Sequence, residues 1–557
     1  MVGLIPFTLI FAGALLSFLR GTERWGILIG APILTLLLVI FVPDDSTTTI
    51  VWLGYELQPF RLDRLARFFA LAFSIAALAG GIFALRQEKG AELSAAFVYA
   101  GATLGVVMAG DLITLFVFWE VMAIASAIVI WSAGGSALAA GQRYILVHLL
   151  GGVLLMAGIA GHVVETGSLL FGPLSADSPA RILILLAFLI NAGAPPLSSW
   201  MPDAYPESSW SGMVFLAAFT SKCALYVLLR AFAGEDILIW VGLYMTFYGI
   251  VYALLENDMR RILAYSSVNQ VGIMVVGVGI GTGATLAGAA ALAFAHVIFK
   301  ILLVMSAGAV LYATGKRRCT DLGGLFRTMP FTTGAAIVGA LAISAFPLTS
   351  GFVSKSLITD GSAAVGLPWV FYLLTAASAG VFLHAGIKFP WFVFFAKDSG
   401  LRPDDPPMSM RVAMSICAAL CLLIGIFPGF FYSLLPWFVD FHPYTADHVV
   451  SQLQLLLFSG LAFFLLLGLM KRTNTITLDL DWFWRRGGRV LSREFDLRGP
   501  VVRTAILHGA RRGGARLARA IARSHGPSGI LARPWPTGII AFWTTVLLAA
   551  YLVLDYF

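Results

Sequence analysis

Charge is what this sequence has least of: 12% of its 557 residues are Asp, Glu, Lys or Arg, about half the share of a soluble domain. Cysteine is nearly as scarce, with four residues in all. Cys417 and Cys421 stand one helical turn apart in an apolar run, which suits packing rather than a disulfide framework. No set of residues has the spacing of a haem, iron–sulfur or zinc site, and the glycine fingerprint of a nucleotide fold is missing. Neither a metal nor a cofactor is therefore expected. The first apolar stretch, Ile5 to Leu19, has no basic leader before it and no Ala-x-Ala site after it, and it reads as a retained helix. A broadly basic surface is also lacking. The net charge of +8 comes from one stretch, Lys471 to Arg533, where 14 Lys/Arg face four acids. The rest of the chain is slightly acidic, so nucleic acid is not an expected partner.

What is abundant is apolar sequence: 59% of residues are hydrophobic and the mean hydropathy is +0.89. Runs of about 20 apolar residues, each long enough to cross a bilayer, recur almost to the C-terminus. The fold class is thus an all-α polytopic membrane protein, with sixteen spans expected at 3–19, 26–42, 66–85, 93–109, 111–131, 144–165, 180–200, 209–230, 237–255, 262–281, 286–313, 331–358, 367–396, 410–432, 450–470 and 536–556. Up to the fourteenth span, fourteen Lys/Arg fall in odd-numbered loops. Only Arg61, Arg64, Arg67, Arg181 and Arg230 fall in even-numbered ones. The positive-inside rule then puts the odd loops in the cytoplasm of a bacterial inner membrane, with both termini on the periplasmic side. The basic stretch after span fifteen falls inside as well.

Two spans carry breaks: the seventh at Pro195, Pro196 and Pro202, the twelfth at Pro347 and Gly351. A broken helix frees backbone groups, which a membrane protein tolerates only against protein or a wet cavity. The breaks lie five spans apart, an odd offset, as in inverted repeats with function near the breaks. The expected organisation is N-terminal helices (1–92), a first repeat of spans four to eight (93–233) and an inverted second repeat of spans nine to thirteen (234–396). Peripheral helices (397–475), a basic amphipathic cytoplasmic segment lying on lipid (476–535) and a final span (536–557) follow.

Outside the loops and the basic stretch, four cations remain: Lys222, Lys300, Lys355 and Lys388. Glu120 is the acid placed squarely within a span, and His148, His296 and His384 accompany the set. Ionisable residues inside a bilayer are costly and usually mark an ion path. An amine or imidazole out of water exchanges its proton readily, and a neighbouring carboxylate or lysine tunes it further. His296 and Lys300 are four apart and share one helix face. No arginine remains inside to clamp a carboxylate, which argues against a carrier of organic solutes.

Several stretches carry a resemblance. "AGDLITLFVFWEVMAIAS" (109–126), "PPLSSWMPDAYPESS" (195–209), "SKCALYVLLR" (221–230), "DMRRILAYSSVNQVG" (258–272), "AHVIFKILLVMSAGAVL" (295–311) and "AFPLTSGFVSKSLI" (345–358) occur in order. They resemble the antiporter-like subunits shared by respiratory complex I, Mrp-type cation/proton antiporters and membrane-bound hydrogenases, with the D-type subunits of Mrp antiporters nearest. "GIKFPWFVFF" (386–395) and the tail "ITLDLDWFWRRGGR" (476–489) are similar to this group too. The resemblance implies a hydrated polar axis that relays protons. In it Glu120 matches the helix-5 glutamate, Lys222 the helix-8 lysine, His296 and Lys300 the helix-11 pair, and Lys355 the charged residue of broken helix 12. Lys388 is expected to complete the proton path, and His148, Asn191, His384, Asp258 and Arg260 are candidates for accessory roles. The chain departs from the family pattern at Asn191, where a lysine usually partners the glutamate, at Gln270 in place of a histidine, and at Arg260 in place of a lysine.

The function the resemblance implies is proton translocation in a multisubunit Na+/H+ antiporter, with other membrane subunits, protons, a monovalent cation and lipid as partners. Two alternatives stand beside it: a proton-pumping subunit of a complex I-like quinone- or hydrogen-linked enzyme, and a structural subunit whose first half is silent. On the leading reading the chain is a transporter subunit and not itself an enzyme.

Overall fold

Each of the sixteen expected segments is helical in the computed structural model, which describes residues 2–469, 473, 478–525 and 536–556. Thirteen helical segments among the described residues are long and apolar enough to cross a membrane, and three apolar helices are shorter. The chain divides into two compact units, Met1–Asp481 and Trp482–Phe557.

The first unit opens with α1 (Ile5–Leu16) and α2 (Glu23–Phe41), then α3 (Arg64–Phe83), α4 (Gly90–Met108), α5 (Leu112–Trp131), α6 (Ser136–Thr166) and α7 (Pro179–Ala192). The short α8 (Trp200–Ala204) and α9 (Gly212–Ala218) lead into α10 (Thr220–Ala231), α11 (Ile237–Leu255), α12 (Met259–Ile280) and α13 (Gly283–Thr314). After these come α14 (Pro330–Ile343), α15 (Ser350–Ala364), α16 (Pro368–Val381), α17 (Met408–Ile426), α18 (Pro428–Ser433) and α19 (Ala446–Leu465). At the centre, the segments Gly212–Ala231, Met259–Ile280 and Gly283–Thr314 are wholly buried, as their all-round apolar composition requires. Glycines bring the helices close: a β-carbon on Gly272 would meet the Gly242 carbonyl of α11 at 2.6 Å.

Both predicted breaks exist. α7 stops at Gly193, whose φ of 85° makes a left-handed cap. The Ile190 carbonyl freed there accepts the Trp200 indole N–H at 2.9 Å. The second break runs from Ser344 to Thr349 and contains Pro347, with Ala345 and Leu348 forced to φ of 57° and 67°, a conformation that costs about 1 kcal/mol or more at a non-glycine residue. Gly351 proves not to lie in the break. It sits in the first turn of α15, where a β-carbon would stand 1.8 Å from the Ala342 carbonyl, so its smallness lets the two half-helices meet.

Three features differ from the expectation. The eighth span is itself interrupted at Phe219 (φ −106°, ψ −72°), with no proline or glycine to announce it. Span thirteen leaves α-helical geometry in two π-helical stretches, Phe382–Lys388 and Trp391–Phe395, the first of which contains His384 and Lys388. Between α2 and α3 the all-α bundle carries an antiparallel hairpin, β1 (Ser46–Trp52) and β2 (Tyr55–Leu62), turned through Leu53 and Gly54 at positive φ. Its second strand seats on the arginine-poor end of the bundle, where Gln58 O accepts Gly110 N–H and Arg61 donates to Phe171 O, both at 2.9 Å.

The second unit comprises α20 (Asp481–His525), which covers most of the expected basic amphipathic segment, and α21 (Thr537–Tyr556), the final apolar helix. The expected boundary at 475/476 and the stretch 526–535 lie outside the described residues.

Candidate functional site

The buried lysines share one kind of partner. Lys222, just past the interruption at Phe219, donates from Nζ to the freed Ala217 carbonyl at 2.6 Å. Lys355 does the same at the second break, donating to Ile343 O at 3.1 Å. Lys388 gathers the last carbonyls of α11: Ala253 O at 3.1 Å, Glu256 O at 2.6 Å, and Leu254 O. A helix C-terminus carries partial negative charge, so each ammonium is compensated by a helix end, with the Glu256 carboxylate adding to it only at Lys388. Lys300 differs, bonding to Ser266 Oγ at 2.9 Å and Leu263 O at 3.2 Å on α12. Carbonyls and hydroxyls can hold a proton-bearing amine without neutralising it, leaving its proton transferable.

These groups form one series. His296, fully buried on α13 with neither ring nitrogen hydrogen-bonded, lies within electrostatic reach of Lys222, Lys300 and Lys355. His384 in turn lies within reach of Lys300, Lys355 and Lys388. Its Nδ1 bonds Gly380 O at 2.8 Å, which leaves Nε2 free. The structure therefore brings Lys222, His296, Lys300, Lys355, His384 and Lys388 together from four helical segments.

Glu120 stands apart from that series. It projects from α5 over the paired glycines of α6, where a β-carbon on Gly152 would lie 2.0 Å from its Oε1. The residue is half-buried, less enclosed than its mid-span position suggested. On α7, Asn191 comes within 3.5 Å of the β-carbon position of the adjacent Gly151, fully buried, with no partner for either amide atom. Among the described residues no ion pair includes Glu120. His148 stacks on Tyr144 at 4.0 Å and meets the edge of Trp200 at 4.7 Å. It bonds Tyr144 O through Nδ1 at 3.0 Å, with Nε2 unpartnered. Between this cluster and Lys222 lie Tyr144, bonded to Ser126, and Tyr99, bonded to Thr220.

Asp258 and Arg260 lie at the arginine-rich end and hold structure. Asp258 caps α12 through Arg260 N–H at 2.8 Å and pairs with Arg317 Nε at 2.8 Å. Arg260, 2% exposed, reaches across to the loop after α8 and donates to Pro206 O, Ser208 O and Ser209 O at 2.7–2.9 Å. Gln270 is bonded to its neighbour Asn269 at 2.7 Å. Among the buried acids not singled out from the sequence are Glu92 and Asp479. Glu92 accepts from Ser209 and Ser211 at 2.6 Å each, and Asp479 accepts from Tyr248 and Tyr265 at 2.6 and 2.7 Å. Both stand beside apolar runs and look like loop residues. Only their tertiary partners reveal them.

Residues 109–381, which include the breaks and all of the series except His384 and Lys388, match the family described as NADH:quinone oxidoreductase/Mrp antiporter, TM. The chain is 31% identical over 379 residues to NADH-quinone oxidoreductase subunit N of Desulforudis audaxviator, covering 61% of this chain and 75% of that protein. The chain belongs to this family. It is also 30% identical over 386 residues to the D subunit of the Na(+)/H(+) antiporter of Alkalihalophilus pseudofirmus, covering 63% of this chain and 78% of that one. Its fold superposes on a chain of the Mrp complex from Dietzia sp. DQ12-45-1b with a TM-score of 0.74 at 24% identity, over all of this chain and 63% of that one. It is thus a multi-pass membrane protein of this antiporter-like family.

Proposed function

We propose that this chain is the proton-translocating, D-type member of a multisubunit Na+/H+ antiporter in a bacterial inner membrane, with both termini on the periplasmic side. The observation that carries the reading is the series of buried amines and imidazoles running from Lys222 at one helix interruption, through His296 and Lys300 on the continuous α13, to Lys355 at the second break and Lys388 against the end of α11. Each group is an amine or imidazole that can hold or release a proton. Lys222, Lys300 and Lys355 bond to carbonyl or hydroxyl oxygen and not to a carboxylate that would trap the charge. Lys222 and Lys300 lie within electrostatic reach of each other, and like charges repel strongly in a medium of low dielectric, so a proton arriving on one drives release from the other. The fourteen-to-five bias of Lys/Arg between loop sets supports the orientation.

The redox-linked alternative draws support from the relative named as a quinone oxidoreductase subunit, as similar as the antiporter subunit. The isolated Glu120 and the unpaired Asn191 favour a first half that conducts poorly or serves only structurally. Everted vesicles carrying the whole complex separate the first two readings. Sodium added to vesicles holding a pH gradient collapses it if the complex is an antiporter. If sodium has no effect and a gradient builds only during electron transfer, the redox reading holds instead.

A further inference from the structure

Lys355 opens onto a cavity of about 300 Å³ between α15, α16 and α19. It lies at the arginine-poor end, where α15 finishes and α19 begins. Apolar side chains such as Phe371 and Phe458 form much of its wall, and polar groups line the rest: Ser356, Thr359 and Asp360 on α15, Ser378 on α16, and His448 and Gln452 on α19. Asp360 follows Lys355 by five residues on the same helix, about 7.5 Å further along its axis. The hydroxyls are disposed to accept. Ser356 donates its proton to Phe352 O and Thr359 donates to Ser356 O at 3.1 Å, so the oxygen lone pairs remain free toward the cavity. His448 is oriented by a bond of 2.8 Å from Nδ1 to Pro443 O and by a stack on Phe352 at 4.7 Å. A carbonyl cannot donate, so Nδ1 carries the proton, and in the neutral ring Nε2 is the free acceptor.

We propose that this cavity is the aqueous mouth of the proton path on the arginine-poor face, with Asp360 and His448 as the relay that exchanges protons between water and Lys355. On entry, His448 Nε2 or the Asp360 carboxylate takes a proton from water. That proton passes through water held by the hydroxyl oxygens of the wall to the neutral Lys355 amine, leaving the relay group ready for the next. Exit runs the same steps backwards. The inference rests on the proton-path reading above but reaches past the family match, because α19, which supplies His448 and Gln452, lies outside residues 109–381.

The test uses the full complex in vesicles of both orientations and two kinds of variant. Asp360→Asn/His448→Gln removes both relay groups, and its proton flux falls at least about tenfold at normal assembly. Thr359→Cys places a thiol in the mouth while the four native cysteines are buried. A membrane-impermeant, charged methanethiosulfonate labels it from one side only and blocks flux. Lys355→Ala is measured in parallel. If Lys355→Ala is dead while the double variant conducts like wild type, or the introduced thiol resists labelling from either side, the mouth is wrong and the path stands. If Lys355→Ala conducts like wild type, the path and its mouth both fall. Should the double variant not assemble, the labelling arm decides.

Discussion

Glu120 lies directly over Gly152, whose missing side chain makes its room: a β-carbon there would stand 2.0 Å from Glu120 Oε1. The clash falls on the flexible end of the glutamate, so Gly152→Ala displaces the carboxylate without preventing folding. The variant unfolds within a few degrees of wild type, about 1 kcal/mol or less, and conducts as Glu120→Gln does. Thermal unfolding with a thiol-reactive dye, which reports exposure of the four buried cysteines, and proton flux in vesicles check the two halves of this prediction.

Asn191 is enclosed with both amide atoms unpartnered, close to the α6 glycines that Glu120 overhangs. Asn191→Lys therefore places an ammonium where Glu120 can pair with it, and the variant folds stably. The same change in a Glu120→Gln background leaves the ammonium buried and alone, which costs about 3–5 kcal/mol. Comparison of unfolding temperatures across the four variants of this cycle measures the coupling. Additive effects would mean that the two side chains do not meet.

Arg260 ties α12 to the loop after α8 through three backbone carbonyls, and the account gives it a bracing role. Arg260→Ala strands those buried acceptors and destabilises the protein by about 3 kcal/mol or more, while the flux per folded molecule survives. Lost flux at an unchanged unfolding temperature would make it part of the path instead.

Asp63 sits outside the spans, capping α3 through Ala66 N–H at 2.9 Å and pairing with Arg230 at 2.8 Å. Burial pushes its carboxyl up, but Arg230 and the Ala66 N–H outweigh this and hold it below the usual carboxylate range. A lowered folded-state value means stability present above the unfolded pKa and lost as pH falls through the folded one. Asp63→Asn therefore costs about 1–3 kcal/mol near neutrality, and its deficit shrinks below about pH 4. A deficit that stays constant down to about pH 3 would contradict the assignment.

The membrane fold and most of the site were legible in the sequence because bilayers tolerate so few charges. Lys222, Lys300 and Lys355 stand out in apolar runs, and prolines marked two of the breaks. The interruption at Phe219 carries no such residue, and it is imposed by packing in the wholly buried centre. The π-helical turns around His384 and Lys388 likewise have no composition of their own. The hairpin did leave a trace, a β-branched run "STTTIVW" before a Leu-Gly turn in the stretch between the second and third spans. Asp360, His448, Glu92 and Asp479 sit near span ends, where a polar residue is ordinary, and only their tertiary neighbours give them meaning.

The central claim is that protons cross through the series Lys222, His296, Lys300 and Lys355. Lys300 tests it most directly, since its partners are confined to Ser266 and Leu263 on one neighbouring helix and it caps no helix end. Proton flux driven by the complex in everted vesicles is compared between wild type and Lys300→Ala at matched assembly. The account predicts a fall of about 100-fold or more. Flux equal to wild type would contradict it and send the path elsewhere in the complex.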